Sequence, residues 1–238
     1  MVKKLLSNKM VKISAIALCV VFICSIFVFS GCNLNTKTIL ENTSDFCHCF
    51  FYGESEFAQI EFSCGQRECE FEYDGKSTKK IDYGVVKVMF FEDKTQEVFP
   101  AQIIISDQVF DVQLEKNPFD ASFMFDIEKQ VETNQNIIIK IEGYEQCELE
   151  CVSNLWKIGA TKAVELSGVC LKDFLNNTKQ QGESFECYLN VVHNVQNGER
   201  LYFYTFMVKT TNFKSASVVI SPINGEILVK CQTNWFFA

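Results

Sequence analysis

Between Val109 and Glu115 the chain alternates without a break: Val109, Asp111, Gln113 and Glu115 oppose Phe110, Val112 and Leu114. A two-residue period places one set on each face of a strand, so this stretch has one buried face and one wet face. The pattern recurs. Strands are predicted over 57–64, 68–73, 84–91, 102–106, 109–115, 122–127, 136–142 and 146–151, separated by turn signals such as Asp74-Gly75 and Asn117-Pro118. Phe is frequent, at 23 residues, and Pro is scarce, at 3, which suits strands more than loops. No internal repeat is present.

Seven or eight short antiparallel strands predict a β-sandwich over residues 46–152, resembling the immunoglobulin-like arrangement. From residue 158 the period changes. Ala160, Ala163, Val164, Cys170, Leu171 and Phe174 fall on one helical face, flanked by Leu166 and Leu175, and Asn176-Asn177 is the expected stop. Four further strands follow, over 185–192, 201–208, 216–221 and 226–231, the last two joined by Pro222-Ile223-Asn224-Gly225. Residues 153–238 thus read as a small α+β unit with one helix across an antiparallel sheet. The whole chain is expected to be mainly β.

Charge supports that division. The formal charge is −8, yet residues 46–152 hold 22 acidic and 9 basic residues, whereas residues 153–238 hold 6 and 8. The acidic half argues against nucleic acid or another polyanion as partner.

The N-terminus carries Lys3, Lys4, Lys9 and Lys12 and no acid before Cys32; an apolar run from Ile13 to Phe29 follows, then Ser30-Gly31-Cys32. A basic start, an apolar middle and a small-residue exit describe a secretory signal. The stretch Val28-Phe29-Ser30-Gly31-Cys32 resembles the lipobox of bacterial prolipoproteins, with Phe29 bulkier than the family residue there. That resemblance implies a diacylglyceryl thioether on Cys32 and cleavage after Gly31. The competing reading is an uncleaved transmembrane helix, at the short edge of what spans a bilayer. Both place the rest of the chain outside the cytoplasm. Residues 1–31 are then a lipoprotein signal peptide and residues 32–45 a polar tether. Without its four lysines the mature chain carries −12.

Besides Cys32 and the two apolar-run cysteines, nine remain: Cys47, Cys49, Cys64, Cys69, Cys147, Cys151, Cys170, Cys187 and Cys231. Extracytoplasmic cysteines often pair, and Cys64 and Cys69 bracket four residues that would turn a hairpin. The alternative is a set of buried thiols packed as small apolar groups. Cys47-His48-Cys49 is too tight for one metal ion, because on a strand His48 faces away from the two cysteines. Glu68, Glu70, Glu72 and Asp74 share a strand face. They are read as a solvated row, with cation binding as the sharper alternative.

Catalytic patterns are sparse. His48 and His193 are the two histidines. Ser77-Thr78-Lys79-Lys80 fits a Ser-x-x-Lys pattern but lies in a charged turn. No cofactor motif is present. The segment Val219 to Leu228 is similar to the ending of PepSY modules, with Ser221 where that family has Asp, which implies a binding or inhibitory role. The expectation is a membrane-anchored, extracytoplasmic, non-enzymatic binding module with a protein or envelope ligand. A thiol-dependent enzyme and a metal-binding lipoprotein are the alternatives.

Overall fold

A computed structural model of the chain describes residues 36–69, 79–193, 201–209, 211 and 214–233. Cys32, Glu70, Glu72 and Asp74 lie outside them. Twelve strands are described: β1 (Thr43–Glu54), β2 (Ala58–Glu68), β3 (Lys80–Phe90), β4 (Val98–Ile105), β5 (Gln108–Lys116), β6 (Phe123–Ile127), β7 (Ile137–Ile141), β8 (Cys147–Cys151), β9 (Phe185–His193), β10 (Leu201–Lys209), β11 (Ser215–Ile220) and β12 (Ile227–Thr233). A 3-10 turn (Val152–Leu155) and two helices, α1 (Ala160–Cys170) and α2 (Lys172–Gln180), separate β8 from β9.

The chain is mainly β, but the first eight strands close on themselves. The order β1-β2-β3-β6-β5-β4-β7-β8 returns to β1 through an additional β1–β8 pairing, and every pairing round the ring is antiparallel. This is a barrel in place of the expected sandwich. Alternation requires an inside and an outside, which a pair of stacked sheets and a closed ring satisfy equally. Closure is decided by two narrow seams. β1 meets β8 through Phe51↔Cys151 and Tyr52↔Glu150, and β5 meets β6 through Glu115↔Met124 and Lys116↔Phe123. Sealing them removes edges that would otherwise recruit foreign strands. Phe51, Phe62, Phe123, Ile103 and Ile139 fill the interior, fully buried or nearly so; each contributes about 2–3 kcal/mol of apolar burial.

β1 was not legible as a strand, and it joins the two halves. Its N-terminal part pairs in parallel with β9, at Asp45↔Tyr188 and Phe46↔Leu189, while its C-terminal part closes the barrel. The β9-β10-β11-β12 meander therefore extends the same hydrogen-bonded sheet. A second core of Ile39, Ala163, Val164, Leu171, Phe203 and Met207, among others, lies between that meander and the helices.

Three expectations are corrected here. The polar tether is largely absent: residues 36–41 are helical, Ile39 is fully buried in the second core, and β1 begins at Thr43. Ile39 and the partly buried Leu40, adjacent on a short helix, dock a segment whose composition is otherwise polar. The single helix is two helices, broken at Leu171 (φ −96°, ψ 20°). The break lets Leu171 and Phe174 both reach the core beside the buried Ser167, whose hydroxyl contacts Thr205 Oγ1 at 2.8 Å. The stop is not Asn176-Asn177 but Gly182. Its φ is +66°, Glu183 N–H donates to Thr178 O, and Gly182 N–H donates to Lys179 O. That bond pair is a Schellman cap, which needs a left-handed residue.

Candidate functional site

β1 and β2 pair as Cys47↔Gly65 and then Cys49↔Cys64, so His48 is the extra residue of a β-bulge. Gly65 and Cys64 are consecutive and face opposite sides of β2. Their partners do the same. Cys47 faces outward beside Asp45 and Cys49 faces into the barrel, contrary to the shared face expected for them. A bulge inverts strand parity from that point on. Gly65 is required at the crossing: a Cβ there would lie 2.1 Å from Phe46 O.

Cys64 and Cys69 do not bracket a turn. β2 runs through Glu68 and both are free thiols. Five residue steps of extended chain set their Cα atoms about 16 Å apart, far beyond the roughly 7 Å that a disulfide allows. Glu68 departs from the expected solvated row, since it is fully buried at the end of β2. Among the described residues, no group of three or more Cys, His, Asp or Glu side chains is placed to hold a metal ion.

Most of the shifted thiols are pushed away from reactivity. Burial raises Cys47 to about 12, with the Asp45 carboxylate adding to the effect. Burial also raises Cys187 to about 12 and Cys151 to about 11. Cys64 is raised, first because its thiol bonds to Cys49 and then by burial. Cys49 is lowered, chiefly by the hydrogen bond from Cys64, but it is 0% exposed and no substrate reaches it. A thiolate nucleophile needs both stabilisation and access.

A polar network crosses the outer face of the barrel. Tyr83 OH donates to Asp45 Oδ1 at 2.8 Å, Arg67 pairs with Asp126 at 2.9 Å, and the Arg67 guanidinium lies 5.1 Å from the centre of the Tyr83 ring. Burial raises Asp45 above its ordinary value, opposed by Tyr83 and Arg67. These contacts tie β1, β2, β3 and β6 together on the outer face of the barrel.

The surface best built for a ligand lies where the halves meet. The β11–β12 turn closes with Gly225 N–H donating to Ser221 O, and Gly225 has φ +75°. The N–H groups of Lys157 and Ile158 both donate to Pro222 O, at 3.1 and 2.9 Å. Those bonds draw the segment after the barrel against the hairpin. A cavity of about 450 Å³ opens between them, lined by Leu155, Trp156, Tyr202, Ile223 and Leu228 among others. Trp156 is fixed edge-on to Phe203, with ring centres 5.0 Å apart. Tyr202 is buried, whereas Leu155 is 74% exposed, Ile223 51% and Leu228 43%. Beside them β12 ends the sheet order, with Ile227 and Val229 also exposed. A larger depression of about 660 Å³ crosses β4, β5 and β7, with Asp111, Glu115, Glu142 and Lys140 in its lining.

Cys64, Cys69 and Glu68 do not line the 450 Å³ cavity, whereas the segment 219–228 singled out in the sequence does, through Ser221, Ile223, Asn224 and Leu228 among others. Two signals pointed towards it: the Asn224-Gly225 turn and the apolar run Ile227-Leu228-Val229. Leu155 and Trp156 carried no readable pattern. Among the described residues, no helix is long and apolar enough to cross a membrane. No family model, curated protein or solved structure matches the chain.

Proposed function

We propose that the chain is a lipid-anchored, extracytoplasmic binding module that takes an extended, apolar segment of a partner protein along β12. The observation carrying this reading is the apolar cavity beside an edge strand. Among the described residues β12 has a strand neighbour on one side only, so its other edge offers backbone donors and acceptors to an added strand. Leu155, Ile223 and Leu228 supply the side-chain pocket that gives such an added strand its specificity.

The anchor part of the reading rests on the first thirty-two residues. Three residues lie between Cys32 and Thr36, where helix is already formed, a reach of at most about 14 Å. A lipidated Cys32 would hold the fold against the bilayer surface.

The test is cross-linking and affinity capture of the full-length protein from its native membranes. The wild type is compared with Leu155→Asp/Leu228→Asp and with Cys32→Ala. A recurrent partner whose capture falls at least tenfold in the double aspartate variant is the expected result, with release of Cys32→Ala from the membrane fraction. Equal capture by the double variant removes the binding-surface assignment. Membrane retention of Cys32→Ala removes the anchor assignment.

A further inference from the structure

Cys49 and Cys64 lie in the barrel core, and the partly buried Cys151 packs against it. Cys64 Sγ lies 3.5 Å from Cys49 O and 3.9 Å from Val131 O. Cys49 and Cys64 are directly opposed across the β1–β2 ladder, and both belong to the barrel core at 0% and 1% exposure. We infer that Cys49 and Cys64, free thiols in this structure, join under oxidising conditions in a cross-strand disulfide that staples β1 to β2 next to the bulge.

Geometry selects this pair from the three. Directly opposed residues of an antiparallel ladder have Cα atoms about 4.5–5.5 Å apart, inside the range of roughly 4.4–6.8 Å that disulfides occupy. Cys151 faces Phe51 in the β1–β8 seam, two residues away from Cys49. That diagonal relation gives about 7–8 Å, outside the range. Cys47 faces outward and lacks a cysteine opposite, because its ladder partner is Gly65.

Formation requires a disulfide-class oxidant, which the proposed extracytoplasmic location supplies. One protein thiolate attacks the oxidant's S–S bond, forms a mixed disulfide and expels one thiolate. The second protein thiolate attacks the protein sulfur of that mixed disulfide, forms the Cys49–Cys64 bond and expels the other thiolate. Two protein thiols are oxidised, one oxidant disulfide is reduced to two thiols, and the two protons pass to those thiols. Because both sulfurs are sealed in the folded barrel, the exchange takes place as the chain folds.

The experiment is refolding of the full chain from urea in an oxidised/reduced glutathione buffer. Alkylation follows, then non-reducing peptide mass mapping. The wild type is expected to give one linked peptide pair containing Cys49 and Cys64, 2 Da lighter than the reduced pair, and a higher urea midpoint than the reduced protein. The linkage is expected to vanish in Cys49→Ala and to persist in Cys151→Ala. Full alkylation of both cysteines, or linkage of Cys64 to any other residue, overturns the inference in the wild-type map alone. Glutathione is the oxidant here, so the outcome does not depend on where the protein resides. The location is decided separately by fractionation of Cys32→Ala.

Discussion

Replacing Gly65 by alanine tests whether the bulge at His48 organises the molecule. The added Cβ would meet Phe46 O at 2.1 Å, Phe46 C at 2.8 Å and Cys47 Cα at 2.9 Å. All three are backbone atoms, so no rotamer change relieves the contact. Restoring an ordinary separation moves the strands apart by more than roughly 1 Å. Two ladder hydrogen bonds flanking the bulge are lost, at about 1 kcal/mol each, and overpacking adds about 1–3 kcal/mol. The reduced backbone freedom of the unfolded alanine chain offsets about 0.5–1 kcal/mol. The expected net loss is about 3 kcal/mol, a large share of the roughly 5–15 kcal/mol that holds a typical domain. Gly84→Ala is the control. Its Cβ would meet Phe62 Cζ at 2.4 Å, the far end of a ring that can tilt, and a loss of about 1–2 kcal/mol is expected. Urea unfolding followed by far-ultraviolet circular dichroism ranks the two. If Gly65→Ala unfolds at the same urea concentration as Gly84→Ala or a higher one, the backbone-crossing argument is refuted.

Other perturbations have defined outcomes. Burial holds the folded-state pKa of Asp45 above 3.8, so folding favours its neutral form, and its stabilising contribution is lost as pH rises through the folded value. Asp45→Asn is neutral at every pH and its amide oxygen still accepts from Tyr83. It should therefore unfold at higher urea at pH 7, by on the order of 1 kcal/mol, with the gain disappearing near pH 3; a gain that grows on acidification would contradict this. Ser106 has φ +53°, the one positive value among described non-glycine residues, in the two-residue turn between Ile105 and Gln108. Ser106→Gly removes a left-handed penalty of about 1–2 kcal/mol and costs about 0.5–1 kcal/mol in unfolded-state freedom. A thermal midpoint raised by a degree or two is expected, and a lowered one would show that the Ser106 side chain contributes more than the backbone strain costs.

The sequence by itself determined the local elements. Alternation along Val109–Glu115 marks β5, the Asn224-Gly225 pair marks the last hairpin, and Ala163, Val164 and Leu171 mark the helical face that reaches the core. Each is a short-range pattern: the period of burial reports which side chains share a face and says nothing about what lies across from them. Gly182, not Asn176-Asn177, ends the second helix, because a glycine adopts the left-handed conformation of the cap without strain. Tertiary structure alone decided the rest. Ring closure depends on Phe51 meeting Cys151, residues one hundred positions apart. The opposite facing of Cys47 and Cys49 depends on a register shift created by pairing with β2. The candidate cavity exists because two N–H groups after the barrel find Pro222 O on a distant hairpin. In each case a side chain's chemistry was visible in the sequence, but its neighbour was not, because registers and seams are fixed by contacts between segments and not by either segment alone.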